Sequence, residues 1–212
     1  MEWDQCLVNR ILICLDAVSM IFLLEGFMGL VPYLARGFFH PRQLIHLEDS
    51  VSRTGDRNIL AAVAVTALAL VCSRYGLYSP DFLEEIGPGY DTLVILGVLT
   101  GWILLRYVLV LLLAPSRGGR DNYMQSARLL YDFLISGTAV LLLEVLLCVI
   151  FGLNDLTVKS ILLWSGAVIY FLFIVRRFQI LTNSCNQFAA FLYLCTLELV
   201  PAGAVVASGL VF

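Results

Sequence analysis

The chain has 212 residues, 60% of them apolar and only 14% charged, with a formal net charge of −3. Soluble domains are nearer half apolar and a quarter charged, so this composition excludes a disordered tail, a coiled-coil or collagen-like rod, a secreted disulfide scaffold and an ordinary cytosolic enzyme. The isoelectric point of about 5.3 leaves no basic surface for nucleic acid.

A helix needs about 20 apolar residues to cross about 30 Å of hydrocarbon, and six stretches qualify. The first covers about residues 11–34 and carries Asp16 and Glu25; its two acids leave a re-entrant or interfacial segment open as an alternative. Asp16 is expected to reach the outer headgroups. The amino end is acidic and lacks a basic region, so this apolar run is expected to stay in the mature protein. The second span covers about 59–78 and reaches Arg74 near its end. The third, about 92–114, contains Arg106 and a Gly97-xxx-Gly101 pattern that permits close helix contact, here expected to be intramolecular.

Span four covers about 129–153 and contains Asp132 and Glu144. Asp132 follows Arg128 by four residues, a spacing that suits an interfacial ion pair. Only Asn154, Asp155, Leu156 and Thr157 separate spans four and five, which predicts a tight antiparallel hairpin with Asp155 or Thr157 as the cap. The fifth span covers about 158–175, and the sixth, about 188–210, contains Glu198, Pro201 and the small residues Gly203, Ala204, Ala207 and Ser208. The runs are continuous rather than alternating and exceed the length of barrel strands. The expected fold is therefore an all-α, polytopic transmembrane bundle of about six spans forming one domain over residues 1–212.

Turn signals at Pro41, Ser79-Pro80-Asp81, Gly87-Pro88-Gly89 and Ser116-Arg117-Gly118-Gly119 stop each helix where hydropathy stops. Orientation follows from the arginines. Arg36, Arg42, Arg53, Arg57, Arg117, Arg120, Arg128, Arg176 and Arg177 fall on one side, against Arg10, Arg74 and Lys159 on the other, which also holds Asp81, Glu84, Glu85 and Asp91. The positive-inside rule then puts both termini outside the cytoplasm.

An ionisable side chain deep in the bilayer costs at least about 2.5–3.5 kcal/mol and demands a partner, a wet cavity or neutralisation. Glu25, Arg106 and Glu198 fall near their span centres, so Arg106 is expected to pair with Glu198, Glu25 or both, because a guanidinium cannot shed its charge. Pro201 cannot donate to the Leu197 carbonyl, leaving an acceptor next to Glu198. That arrangement suits either a kinked helix with one buried ion pair or a proton or cation site, and Glu144 carries the same two readings. Glu198→Gln is expected to preserve the fold. The six cysteines read as small apolar residues, and His40 and His46, six apart, suit no helical metal site; no metal or cofactor is expected.

The segment Asn186 to Pro201, with Phe188, Phe191, Tyr193, Cys195, Thr196 and Glu198 in Phe-Leu-Tyr-Leu-Cys-Thr-Leu-Glu before the proline, resembles the carboxyl-terminal motif of the Bacteroidota integral membrane proteins grouped as domain-of-unknown-function family 4271. Arg177-Phe178 upstream adds to the likeness, whereas the alanine- and valine-rich tail lacks the basic residue expected after the proline. The resemblance implies a bacterial inner-membrane address and points again to Glu198, without a reaction. With no nucleophile and base at recognisable spacing, an enzyme is not expected. The leading expectation is a structural or assembly component of an envelope complex, with a membrane-protein partner or a second copy besides the bilayer. The alternative is a small proton- or ion-coupled transporter or channel using Glu198 and Arg106.

Overall fold

In hydrocarbon every backbone N–H and C=O must be paired within its own segment, and the helix does this for a continuous apolar run. The computed structural model describes Trp3 and residues 6–39, 51–80, 90–113, 120–182 and 186–211, and among these residues it contains helices and turns with no strand. Helix α1 spans Leu7–Phe39, α2 Val51–Arg74, α3 Asp91–Leu112, α4 Arg120–Ile150 and α5 Asp155–Thr182. The last membrane segment is composite: α6 (Gln187–Leu194), a π-helical turn (Cys195–Leu199) and α7 (Val200–Val211). Pro41, Arg42, His40, His46, Asp81, Glu84, Glu85, the Gly87-Pro88-Gly89 breaker, the 116–119 turn and Cys185 lie outside the described residues.

Among the described residues six helical segments are long and apolar enough to cross a membrane: Leu7–Gly29, Arg57–Arg74, Asp91–Leu112, Ala127–Ile150, Asp155–Thr182 and Gln187–Ala207. The chain is a multi-pass membrane protein of all-helical build. Helix α1 runs unbroken for 33 residues, so the re-entrant alternative for the first segment does not hold. The fifth span is longer than hydropathy indicated, because α5 continues through Arg176 and Arg177 to Thr182. Helix α2 is the hub, packing against α1, α3 and α4, while α4 pairs with α5. The face of α1 turned into the bundle carries Asn9, Asp16 and Leu23, spaced seven residues apart, and Phe27; Ile11, Leu15, Ile21 and Phe22 point away and are exposed.

Helices α2 and α4 stop in the same way. Gly152 (φ +63°) follows α4, with its amide donating to the Val149 carbonyl and the Leu153 amide to that of Cys148. Gly76 (φ +56°) repeats the pattern after α2 through Ser73 and Cys72. Both are Schellman caps, which need a residue tolerant of the left-handed region. The α4–α5 hairpin forms as expected, but its cap is Asn154, whose Oδ1 accepts from the Thr157 amide at 2.9 Å. Asp155 is instead the first residue of α5.

At this end of the bundle an uncharged network ties three helices together. Trp3 Nε1 donates to Ser73 Oγ at 2.8 Å, and Thr92 Oγ1 sits 2.8 Å from both Ser73 Oγ and Asn9 Oδ1. Asn9 Nδ2 donates to the Trp3 carbonyl at 3.2 Å, and the Arg74 guanidinium lies over the Trp3 and Tyr75 rings. Asn9 and Thr92 are fully buried, so each hydrogen bond here satisfies a group that lipid cannot.

The Gly97-xxx-Gly101 pattern corrects its expectation. Both glycines face outward, and a Cβ at either would meet nothing within 4 Å. The close intramolecular contact expected for this pattern is absent there; at Gly137 of α4, by contrast, a Cβ would come 3.1 Å from Ile169 of α5.

These glycines generate opposite predictions. Gly152→Ala forces an L-residue into the left-handed region and is expected to cost about 1 kcal/mol. Gly101→Ala, in an open helix interior, is expected to add about 0.5–1 kcal/mol. Thermal unfolding of the two variants in detergent, with melting points moving in opposite directions, checks both.

Candidate functional site

The polar centre of the bundle is built on α3, α5 and the π turn. Arg106 of α3 donates from Nε to Glu198 Oε1 at 2.7 Å, and its Nη1 donates to the Ala127 carbonyl of α4 at 3.1 Å. Arg177 of α5 forms a second ion pair with the same carboxylate oxygen through Nη1. Glu198 and Arg177 have no exposed surface and Arg106 almost none. One carboxylate thus lies between two guanidiniums donated by different helices, giving the triad a formal charge of +1.

Local structure delivers Glu198 inward. The π turn runs from Cys195 to Leu199, with the Val200 amide donating to the Cys195 carbonyl five residues back, and Pro201, buried, follows directly. A proline cannot donate within a helix, and a π turn is one way a helix accommodates the mismatch. The side-chain contact in this turn falls on the carbonyl of Glu198, which accepts from Tyr170 Oη at 3.2 Å. Carboxylate and carbonyl of one residue are therefore both held by α3 or α5.

Apolar layers close the triad on both sides along the helices. Beyond it, one turn further on α3 and α5, lies a cluster of Val110, Tyr123, Ala127, Leu181, Ala190 and Leu197. On the other side Leu129, Leu130, Phe133 and Phe173 pack together, with Arg106 stacked 6.0 Å from the Phe173 ring centroid. Tyr123 donates to the Val110 carbonyl at 3.2 Å and meets Tyr193 edge-on. Burial pushes the Tyr123 phenol up to about 12 against the opposing pull of Arg177, so it remains a donor at physiological pH. A cavity of about 230 Å³, lined among others by Val65, Leu99, Phe133, Gly166, Ile169 and Phe173, opens between α2, α3, α4 and α5. Its walls are almost wholly apolar, and they include Phe173, on whose ring Arg106 stacks, and Tyr170, which bonds the Glu198 carbonyl.

The sequence-marked residues divide clearly. Arg106, Glu198 and Pro201 come together. Glu25 does not join them: it is exposed on the face of α1 turned away from α2. Glu144 sits apart between α4 and α5, its Oε2 in hydrogen-bond contact with Ser165 Oγ at 2.6 Å. Asp16 is not at the headgroups. It is bonded to Thr66 at 2.7 Å, and Thr66 lies nine residues from Arg57 and eight from Arg74, near the middle of the apolar part of α2. Asp132 reaches Arg57 of α2 at 3.9 Å. Of the motif residues, Tyr193, Glu198 and Pro201 turn into the bundle, Cys195 is half-buried, and Phe188, Phe191 and Thr196 face outward; Asn186 precedes α6 with no side-chain cap bond. Cysteines are more varied than expected, with Cys148 buried, Cys14 exposed, and Cys6, Cys72 and Cys195 between. Among the described residues no group of His, Cys, Asp or Glu could hold a metal.

Arg177 is the residue that sequence reasoning misplaced. Hydropathy ends at Val175, and an Arg-Arg pair there reads as an interfacial stop. Yet adjacent helical residues lie about 100° apart, so only one of the two can face the bundle. The stripe Tyr170, Phe173, Arg177 and Leu181 shows which, at spacings of three, four and four. Comparison of the chain with protein families, curated proteins and solved structures found no match.

The second guanidinium reverses the expected effect of Glu198→Gln, which would leave two buried positive charges without an anion. We expect it to cost about 3–5 kcal/mol, the penalty for stranding a buried charge. The triple variant Arg106→Met, Arg177→Leu, Glu198→Leu removes all three charges and is expected to melt at or above the wild-type temperature in detergent. An unchanged melting point for Glu198→Gln would show that the three charges do not depend on one another.

Proposed function

We propose that the protein is a structural or assembly component of a bacterial inner-membrane complex. The observation that carries this reading is the closure of Glu198: the acid that the sequence marks for a proton or ion path is held by two arginines between apolar layers. A carboxylate in that setting serves to fix α3, α5 and the last segment in register, which is the attested use of buried charge. The cavity supports the same reading, since its lining is almost wholly apolar and includes no charged residue.

An assembly component needs a packing face, and the outward Gly97-xxx-Gly101 stripe of α3 has the form of one. Without Cβ atoms, two backbones can approach closely, the usual basis of helix association in lipid. The occupant is a helix of a partner membrane protein or of a second copy. For orientation, both termini lie outside the cytoplasm; removing Arg177 from the tally leaves eight arginines on the cytoplasmic side against three basic residues opposite. The likeness of the 186–201 motif to family 4271 supports the bacterial inner-membrane address.

The test is isolation from the native membrane in mild detergent. A defined membrane partner, or a differently tagged second copy, is expected to co-purify at fixed stoichiometry and to be lost in Gly97→Leu/Gly101→Leu while the melting point of the isolated protein does not fall. Reconstituted vesicles are expected to show no proton or ion flux above protein-free vesicles. Flux that disappears with a folded Glu198 variant would overturn the reading in favour of transport.

A further inference from the structure

Asp16, Asp132, Glu144 and Glu198 each meet a side chain of a neighbouring helix, but Glu25 does not. Among the described residues its carboxyl has no ion pair or hydrogen bond. Helix rotation explains why. At about 100° per residue, Glu25 lies directly opposite Asn9, Asp16 and Leu23, the residues that α1 turns into the bundle. It shares that outward side with Ile11, Cys14, Val18, Ile21 and Met28, all exposed and spaced alternately three and four residues apart. Ile21 keeps 73% of its surface exposed and neighbouring Phe22 82%, so no described segment covers the acid.

Depth makes this costly. Leu23 and Phe27, on either side of Glu25, pack with Leu60, Ala61 and Ala64, whereas Arg57 at the start of the α2 span lies one turn further out. Along α1 itself ten uncharged residues separate Glu25 from Arg36, a rise of roughly 16 Å. A helical Cα–Cβ bond tilts toward the amino end of its helix, here toward Asp16 and the middle of the bilayer, so the side chain leans away from the nearer interface. Charged or neutral, a carboxyl facing hydrocarbon leaves polar atoms without partners, and ionisable groups within a span ordinarily face protein.

A second copy of this chain does not supply what is missing. A two-fold contact along the stripe would set Glu25 against Glu25. The basic residues that lie inside the described spans away from their ends, Arg106 and Arg177, are both held by Glu198 in the core, and Arg57 reaches Asp132. A copy therefore offers no cation at the depth of Glu25. Alternation of three and four is the spacing along which membrane helices pack at left-handed crossings. An arginine or lysine on a facing helix would supply both the charge and the hydrogens that this carboxyl lacks.

We propose that the outward stripe of α1 docks a transmembrane helix of another protein, with a basic residue of that helix against Glu25. The inference rests on the assembly reading, since it requires a partner, and adds a face of its own to the glycine pair of α3.

Photo-crosslinking in native membranes tests it, with p-benzoylphenylalanine in place of Ile21, four residues before Glu25, or of Leu104, three residues after Gly101 and exposed on α3. From Ile21 the adduct is expected to map to a spanning segment of another protein that carries an arginine or lysine. Glu25→Ala is expected to lower that adduct about tenfold, the scale of an interhelical polar contact in lipid, without moving the melting point of the isolated protein. Exchanging the charges, Glu25→Lys with the basic residue of the captured segment changed to Glu, is expected to restore it. A captured segment without a basic residue, capture of a second copy, capture of lipid alone, or an adduct unchanged in Glu25→Ala would overturn the proposal. An adduct from Leu104 would then leave the assembly reading standing, whereas no protein adduct from either position would overturn both.

Discussion

A guanidinium in hydrocarbon keeps its charge, and two of them share one carboxylate at the core of this protein. Everything that joins the last segment to the rest follows from that constraint. Glu198 must be presented at one depth and in one direction, and the π turn before Pro201 sets both. Tyr170 holds the same residue by its carbonyl, so the contact resists rotation as well as withdrawal. Apolar layers above and below lower the local dielectric, which strengthens the attraction and raises the penalty for breaking it.

Intramembrane polar side chains that find partners do so in three ways, while Trp102 Nε1, Arg106 Nη2, Arg177 Nε and Glu198 Oε2 are buried without a hydrogen bond. Charge meets charge at the triad, where three helix segments converge, and again where Arg57 of α2 reaches Asp132 of α4. At the end near Trp3 the partners are neutral, and the ring of Asn9, Thr92, Ser73 and Trp3 closes with donors matched to acceptors. In the spans between, a carboxyl and a hydroxyl face one another across a helix pair, once at Asp16 and once at Glu144. These solutions differ in what removal of one member leaves behind: a stranded charge at the triad, an unmatched hydrogen bond elsewhere.

The outer surface carries many large apolar side chains, as expected where lipid is the solvent. Hydrophobicity therefore gives no preference for one helix face over another, and packing is decided by small residues and polar contacts. Helix α1 illustrates this: one stripe, Asn9, Asp16, Leu23 and Phe27, turns toward its neighbours, while Ile11, Leu15, Ile21 and Phe22 point outward.

Length and hydropathy by themselves determined the helical class, the six spans and a tight hairpin between α4 and α5, though its connection is residues 151–154 rather than 154–157, because a bilayer imposes one length and one backbone solution on any spanning segment. They also marked Arg106 and Glu198 as a pair, since a charge within an apolar run needs an answer. Tertiary structure alone decided the third member, because hydropathy averages over a window and cannot tell which of Arg176 and Arg177 faces inward. It likewise placed Asp16 at mid-span, turned Glu25 outward and left Gly97 and Gly101 uncovered. Those outcomes depend on helix rotation about its own axis. In lipid, rotation is set by a few specific contacts between helices that a single sequence does not pair.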